Sequence, residues 1–184
     1  MTTLYKPVKI DNLQQIQDAV FKIYTPEQLD KPDLFYMTNE VFLNIPELKS
    51  CLDNLGLLSY VHIIATTVMP PGYGVPGATF PNDPTIHIDY GIYTHSLNIP
   101  IKNCDNTFVS YHTVNGPPET MYLETNGLPF YYYKPENCVQ IDQVEMTQAY
   151  IVNTSVPHAI VNPTDKTRIL LAIRLKSEFN FDEF

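Results

Sequence analysis

Between Asp11 and Phe21 the apolar residues Leu13, Ile16, Val20 and Phe21 recur at helical spacing, and Asp11 stands where an N-cap should; the pattern predicts a short amphipathic helix. A second helix is expected from about Pro46 to Leu55. Leu48, Cys51, Leu52 and Leu55 share a face, Asn44 can cap it, Pro46 suits its first turn and Gly56 can end it. Thr25 to Leu34, with Pro26 and Pro32, reads as a loop between the two. After Gly56 the pattern changes. Leu57 to Val68 is rich in β-branched and aromatic residues and predicts a strand, and Met69 to Gly77 is too dense in Gly and Pro to continue it. Short strands are then expected at Ser96–Ile101, Thr107–Val114, Thr120–Glu124, Pro129–Tyr133, Val139–Asp142, Ala149–Val152, His158–Val161 and Thr167–Lys176. Turn signals at 103–106, Asn115-Gly116-Pro117-Pro118 and Asn126-Gly127 punctuate them.

Many short strands with hardly any helix argue for a mainly β chain, a sandwich or barrel of jelly-roll kind. At 184 residues it is one domain by length: residues 1–56 a helical part packing on the barrel, 57–176 the β core and 177–184 a tail. Charge narrows the partners. Eleven Lys and Arg against twenty Asp and Glu give a net charge of −9 with no basic run, which argues against nucleic acid and against an acidic membrane surface. No apolar stretch approaches the ~20 residues of a membrane span, and the N-terminus has no signal-peptide pattern. Cys51, Cys104 and Cys138 are odd in number and form no CxxC pair, so reduced, buried thiols in a cytoplasmic protein are expected. The β edges that a jelly roll leaves exposed make a homodimer the macromolecular partner to look for.

The chemistry centres on His87-Ile88-Asp89. On a strand the period of two puts imidazole and carboxylate on one face, and a further histidine from elsewhere would complete a three-residue metal site. His158, in Ser155-Val156-Pro157-His158, is the candidate. Two imidazoles and one carboxylate on one side of a metal leave the opposite positions free, as in non-haem Fe(II) oxygenases. His62 and His112 lie within strands and are read as hydrogen-bonded strand residues. On the last strand Arg168 follows His158 by ten residues and Arg174 shares its face; an arginine aimed into a barrel needs an anion, and a dicarboxylate would supply one.

His87-Ile88-Asp89 followed by Leu97-Asn98-Ile99-Pro100, and the run 153–162 leading to Thr167-Arg168-Ile169-Leu170-Leu171, together resemble the Fe(II)/2-oxoglutarate-dependent dioxygenases, most of all the aspartyl/asparaginyl β-hydroxylase-like branch. The resemblance covers roughly Tyr60 to Lys176. It implies a double-stranded β-helix with Fe(II) held by His87, Asp89 and His158, 2-oxoglutarate paired through its distal carboxylate with Arg168, and O2 as oxidant. Asn98 is a second contact for the co-substrate, and His95 stands in for a basic residue that this branch often carries. The implied activity is hydroxylation of an unactivated C–H bond, of an Asp/Asn-type side chain on a peptide or of a small molecule. Arg174, about 20 Å along the strand from Arg168, is read as a structural or surface ion-pair partner. Residues Met69 to Asn82 and the Tyr-rich strands are expected at the substrate mouth. A non-catalytic jelly-roll binding protein and a cupin-type metalloenzyme without 2-oxoglutarate remain the alternatives.

Overall fold

A computed structural model describes residues 3–30, 33–36, 39–75, 86–89, 93–122 and 129–184. The chain enters through β1 (Tyr5–Val8), α1 (Leu13–Ile23), α2 (Pro26–Asp30), β2 (Asp33–Tyr36), α3 (Asn39–Leu43) and α4 (Pro46–Asn54). The β core follows as β3 (Val61–Met69), β4 (Ile86–Ile88), β5 (Tyr93–Lys102) and β6 (Phe108–Val114), then the β7 (Glu119–Tyr122) and β8 (Pro129–Tyr133) hairpin. It closes with β9 (Cys138–Glu145), β10 (Ala149–Asn153), β11 (His158–Val161) and β12 (Arg168–Lys176).

Among the described residues these strands form two six-stranded antiparallel sheets, β1-β10-β5-β12-β3-β2 and β7-β8-β4-β11-β6-β9. From β3 to β6 the chain changes sheet at every step, and from β9 to β12 it does so again. Each strand of the first half pairs with its mirror in the second: β3 with β12, β4 with β11, β5 with β10 and β6 with β9. A long hairpin coiled in this way is the double-stranded β-helix, and the fold is therefore the expected one. The β7–β8 hairpin is an insertion that widens the second sheet beside β4.

Strand alternation sorts β12 between two environments. Its odd positions, Ile169, Leu171, Ile173 and Leu175, face outward and are buried by Ile16 and Val20 of α1 and Leu48 and Leu52 of α4. Full burial of each such side chain is worth roughly 1.5–3 kcal/mol, which is why the amphipathic helices dock here. Its even positions face the space between the sheets, where Leu170 and Ala172 pack with Val109, Tyr111 and Met146.

The N-terminal region departs from the all-helical expectation. β1 and β2 extend the first sheet at its two ends, and part of the stretch expected as a loop forms α2. β1 is only four residues and carries Pro7, so it shows no alternation to read; an edge strand tolerates the missing donor. The caps differ as well. α1 begins at Leu13 behind Asn12, whose Nδ2 donates to Glu47 O at 3.0 Å and ties α1 to α4, and Ile45 rather than Asn44 precedes α4. Cys138 is half-buried where full burial was expected, and all three thiols are free. No described helix is long and apolar enough to cross a membrane.

The described part of the Gly/Pro loop after β3 folds against β11. Asn162, fully buried, donates from Nδ2 to Met69 O and Pro70 O, and its backbone N–H donates to Tyr73 O. Gly74 has φ 71° and so little clearance that a Cβ would sit 2.1 Å from Ile160 O. Positions 76–82 of the expected loop and the Asn126-Gly127 turn lie outside the described residues. Gly74→Ala should cost roughly 2–4 kcal/mol of unfolding free energy, because backbone must move as well as strain. Chemical denaturation measures it, and a change within about 0.5 kcal/mol would mean the loop does not clamp β11.

The tail packs back on the outer face of the first sheet. Phe179 and Phe181 bracket His95 at ring-centroid distances of 5.8 and 4.5 Å, and Lys6 Nζ donates to Phe181 O. Burial depresses the His95 pKa from 6.5 to about 4. The unfolded chain therefore binds more protons between those values, so this contribution to stability is complete above pH 6.5 and is lost as pH falls towards 4. It amounts to something on the order of 3 kcal/mol. His95→Leu should flatten the stability profile in that window; an unchanged slope would assign the pH dependence to other groups.

Candidate metal centre and buried cation

The site is assembled by the β4–β11 pairing. His87 and His158 are directly opposed, which places both imidazoles on the inner face with ring centroids 4.5 Å apart. Asp89 lies just past the end of β4, where its N–H donates to Thr154 O at 3.0 Å. His87 Nε2 is 3.7 Å from Asp89 Oδ1, and one ligand atom from each of His87, Asp89 and His158 lies within 4.8 Å of the other two. The structure thus brings together the three residues named from the sequence.

Their protonation suits a metal. His158 Nδ1 lies 2.9 Å from Val156 O, so Nδ1 carries the proton and Nε2 presents its lone pair. Burial holds this histidine below its ordinary pKa and so neutral. For Asp89, burial pushes the carboxyl up, but the Arg174 guanidinium and then His158 and His87 outweigh it and hold the pKa below the usual carboxylate range. With His87 presenting a lone pair as well, the cluster would be the two-imidazole, one-carboxylate donor set that a divalent first-row metal takes with open positions opposite.

Arg174 is the structural ion-pair partner expected from the sequence, with an unexpected partner. That partner is a candidate metal ligand: Arg174 Nη1 donates to Asp89 Oδ2, and its guanidinium lies 5.4 Å from the centre of the Tyr93 ring. The shared parity of Arg168 and Arg174 already signalled that both enter the interior. The ~20 Å between them along β12 keeps both from one small ligand, but leaves Arg174 within reach of a candidate ligand residue.

Arg168 faces the same interior from the other end of β12. It is 0% exposed, and among the described residues its Nε, Nη1 and Nη2 have no hydrogen-bond partner. Asn98 also faces inward, level with Ala172, and accepts at Oδ1 from Ser96 Oγ at 2.8 Å. His95 is not brought into this space: its register with Leu175 puts it on the outer face, against the tail. Tyr132 lies beside His87 and donates to Glu119, so the Tyr-rich strand does border the metal centre. Met69–Val75 does not; it closes the Arg168 end. His62 packs on Tyr93, and His112 Nε2 lies 3.0 Å from Ser110 Oγ, both as strand residues.

Removing the Arg174 charge should expose the role of Asp89. Arg174→Met leaves a buried carboxylate uncompensated and should lower the stability of the metal-free protein by about 3–5 kcal/mol. A divalent metal supplies the missing positive charge, so saturating Mn(II) should restore most of the lost melting temperature. Failure of Mn(II) to rescue this variant, with the wild type stabilised normally, would separate Asp89 from the metal.

The chain is similar in structure to a Pseudomonas putida prolyl-4-hydroxylase, with a TM-score of 0.45 and 13% sequence identity over 97% of this chain and 95% of that one. No protein-family model and no curated protein matches it.

Proposed function

We propose that this protein is an Fe(II)- and 2-oxoglutarate-dependent dioxygenase that hydroxylates an unactivated C–H bond. The observation that carries the reading is Arg168, a fully buried guanidinium whose nitrogens have no hydrogen-bonded oxygen or nitrogen among the described residues, facing the same interior as a His/Asp/His cluster. An unsatisfied buried donor set of this kind costs several kcal/mol, and a terminal carboxylate would satisfy it in bidentate fashion. The resemblance noted for 87–100 and 153–171 points to the same co-substrate.

His87, Asp89 and His158 would hold the metal on one side, with Arg174 fixing the orientation of the Asp89 carboxylate. Arg168 would fix the far carboxylate of 2-oxoglutarate, and Asn98 offers an amide beside its path. Leu170, Ala172 and Tyr111 line the interior and exclude water from it. The bound iron supplies oxidative decarboxylation of 2-oxoglutarate coupled to oxygen insertion; the protein's contribution is placement. An Asp- or Asn-type side chain on a peptide is the first substrate to screen, by the branch that the sequence resembles.

Anaerobic titration with Fe(II) and then 2-oxoglutarate should produce a visible metal-to-ligand charge-transfer band. His158→Ala should abolish it, and Arg168→Ala should raise the 2-oxoglutarate concentration needed by about 100-fold, as expected for loss of a buried charge-assisted pair. Retained metal without a band would indicate a cupin-type metalloenzyme. Neither metal nor 2-oxoglutarate binding would indicate a non-catalytic jelly roll.

A further inference from the structure

The turn between β5 and β6 is fastened to β12 on both sides of Arg168. Asn103 Nδ2 donates to Thr167 O at 2.8 Å, and the Cys104 thiol donates to Ile169 O at 3.2 Å. Asn103 and Asn106 supply the left-handed conformations that the turn needs, with φ of 52° and 57°, and Thr107 Oγ1 closes it on Cys104 O. Cys104 is thereby buried beside the guanidinium, packed with Leu170 and Val109. Among the described residues Cys104 and Tyr73 are the polar groups that act on Arg168, and burial raises the thiol pKa, so the sulfur beside the guanidinium is a neutral thiol at neutral pH. The cation has a weak acceptor for a neighbour where a structural arginine would have a carboxylate.

Resting on the dioxygenase reading, we infer that Cys104 is a specificity-determining residue of the anion site. Its neutral sulfur keeps the Arg168 guanidinium available to one terminal carboxylate, and its bulk limits how long a dicarboxylate fits between that guanidinium and the metal centre. Two consequences separate this role from simple packing. A carboxylate at position 104 would pair with Arg168 internally and compete with the ligand. A smaller side chain would admit a longer acid, and one methylene in a close-fitting pocket is worth about 10- to 200-fold in selectivity.

The test is calorimetric binding to protein loaded with Mn(II), comparing 2-oxoglutarate with 2-oxoadipate, its homologue longer by one methylene. Cys104→Asp should weaken 2-oxoglutarate binding by about 100-fold without weakening Mn(II) binding, as loss of a buried charge pair predicts. Cys104→Ala should keep 2-oxoglutarate affinity within about fivefold and shrink the preference over 2-oxoadipate by about tenfold. Independently, alkylation of Cys104 followed by mass spectrometry should slow by about tenfold or more with saturating 2-oxoglutarate, with Cys51 and Cys138 unaffected. Should Cys104→Asp fail to fold by far-UV circular dichroism, the alanine variant and the alkylation decide. A wild type that binds 2-oxoglutarate, with selectivity unchanged in Cys104→Ala and no protection of the thiol, overturns the role of Cys104 alone. A wild type that binds Mn(II) but neither dicarboxylate overturns the co-substrate reading and this role with it.

Discussion

Charge buried between two apolar sheets is the constraint on which the interior of this protein depends. A carboxylate or guanidinium taken out of water there must find a partner, since its desolvation costs several kcal/mol. At one end of β12 that requirement is met within the chain, by Arg174 on Asp89. At the other, no described residue meets it, and Arg168 sets its donors against a thiol. The difference divides the described interior into an end where the charge is paired and an end where the guanidinium faces a thiol.

β12 makes this arrangement affordable. Its odd residues are the floor on which α1 and α4 dock, and that burial fixes the strand in register between β3 and β5. With the strand so anchored, its even residues have no freedom to slip: a shift of one position would send Arg168 and Arg174 into the outer apolar layer and four aliphatic residues inward. The outer core therefore enforces the placement of the inner charges. The β5–β6 turn adds a local lock, since Asn103 and Cys104 bond the backbone on either side of Arg168.

Much of this was legible in the sequence because it rests on short-range periodicity. The β-branched and aromatic run in 57–68 and the shared parity of Arg168 and Arg174 in 167–176 named two strands, β3 (which begins only at Val61, after a turn) and β12, that pair in the first sheet, and the His-x-Asp triplet with a distant Pro-His named the cluster. What was not legible required pairing partners. β1 has too few residues to alternate, and only its match with β10 makes it a strand. His95 looked available because nothing local reveals which face of β5 a residue occupies; its opposition to Leu175 settles that. Cys104 looked like any core thiol until the turn that carries it met β12.

The charges also imply an order among ligands. Apart from the histidines, which must be neutral to bind a metal, the described interior carries one carboxylate and two guanidinium groups, a net single positive charge. A divalent metal at the His/Asp/His cluster would raise that sum to three, in a space of low effective dielectric where like charges repel strongly. A dicarboxylate reaching from the metal to Arg168 would bring it back to one. Each ligand thus improves the electrostatic setting for the other, and by thermodynamic linkage the coupling is mutual. The Arg168 guanidinium, with no hydrogen-bonded oxygen or nitrogen among the described residues, is on this account what makes anion binding respond to the metal: neutralising it within the chain would stabilise the fold and remove the response.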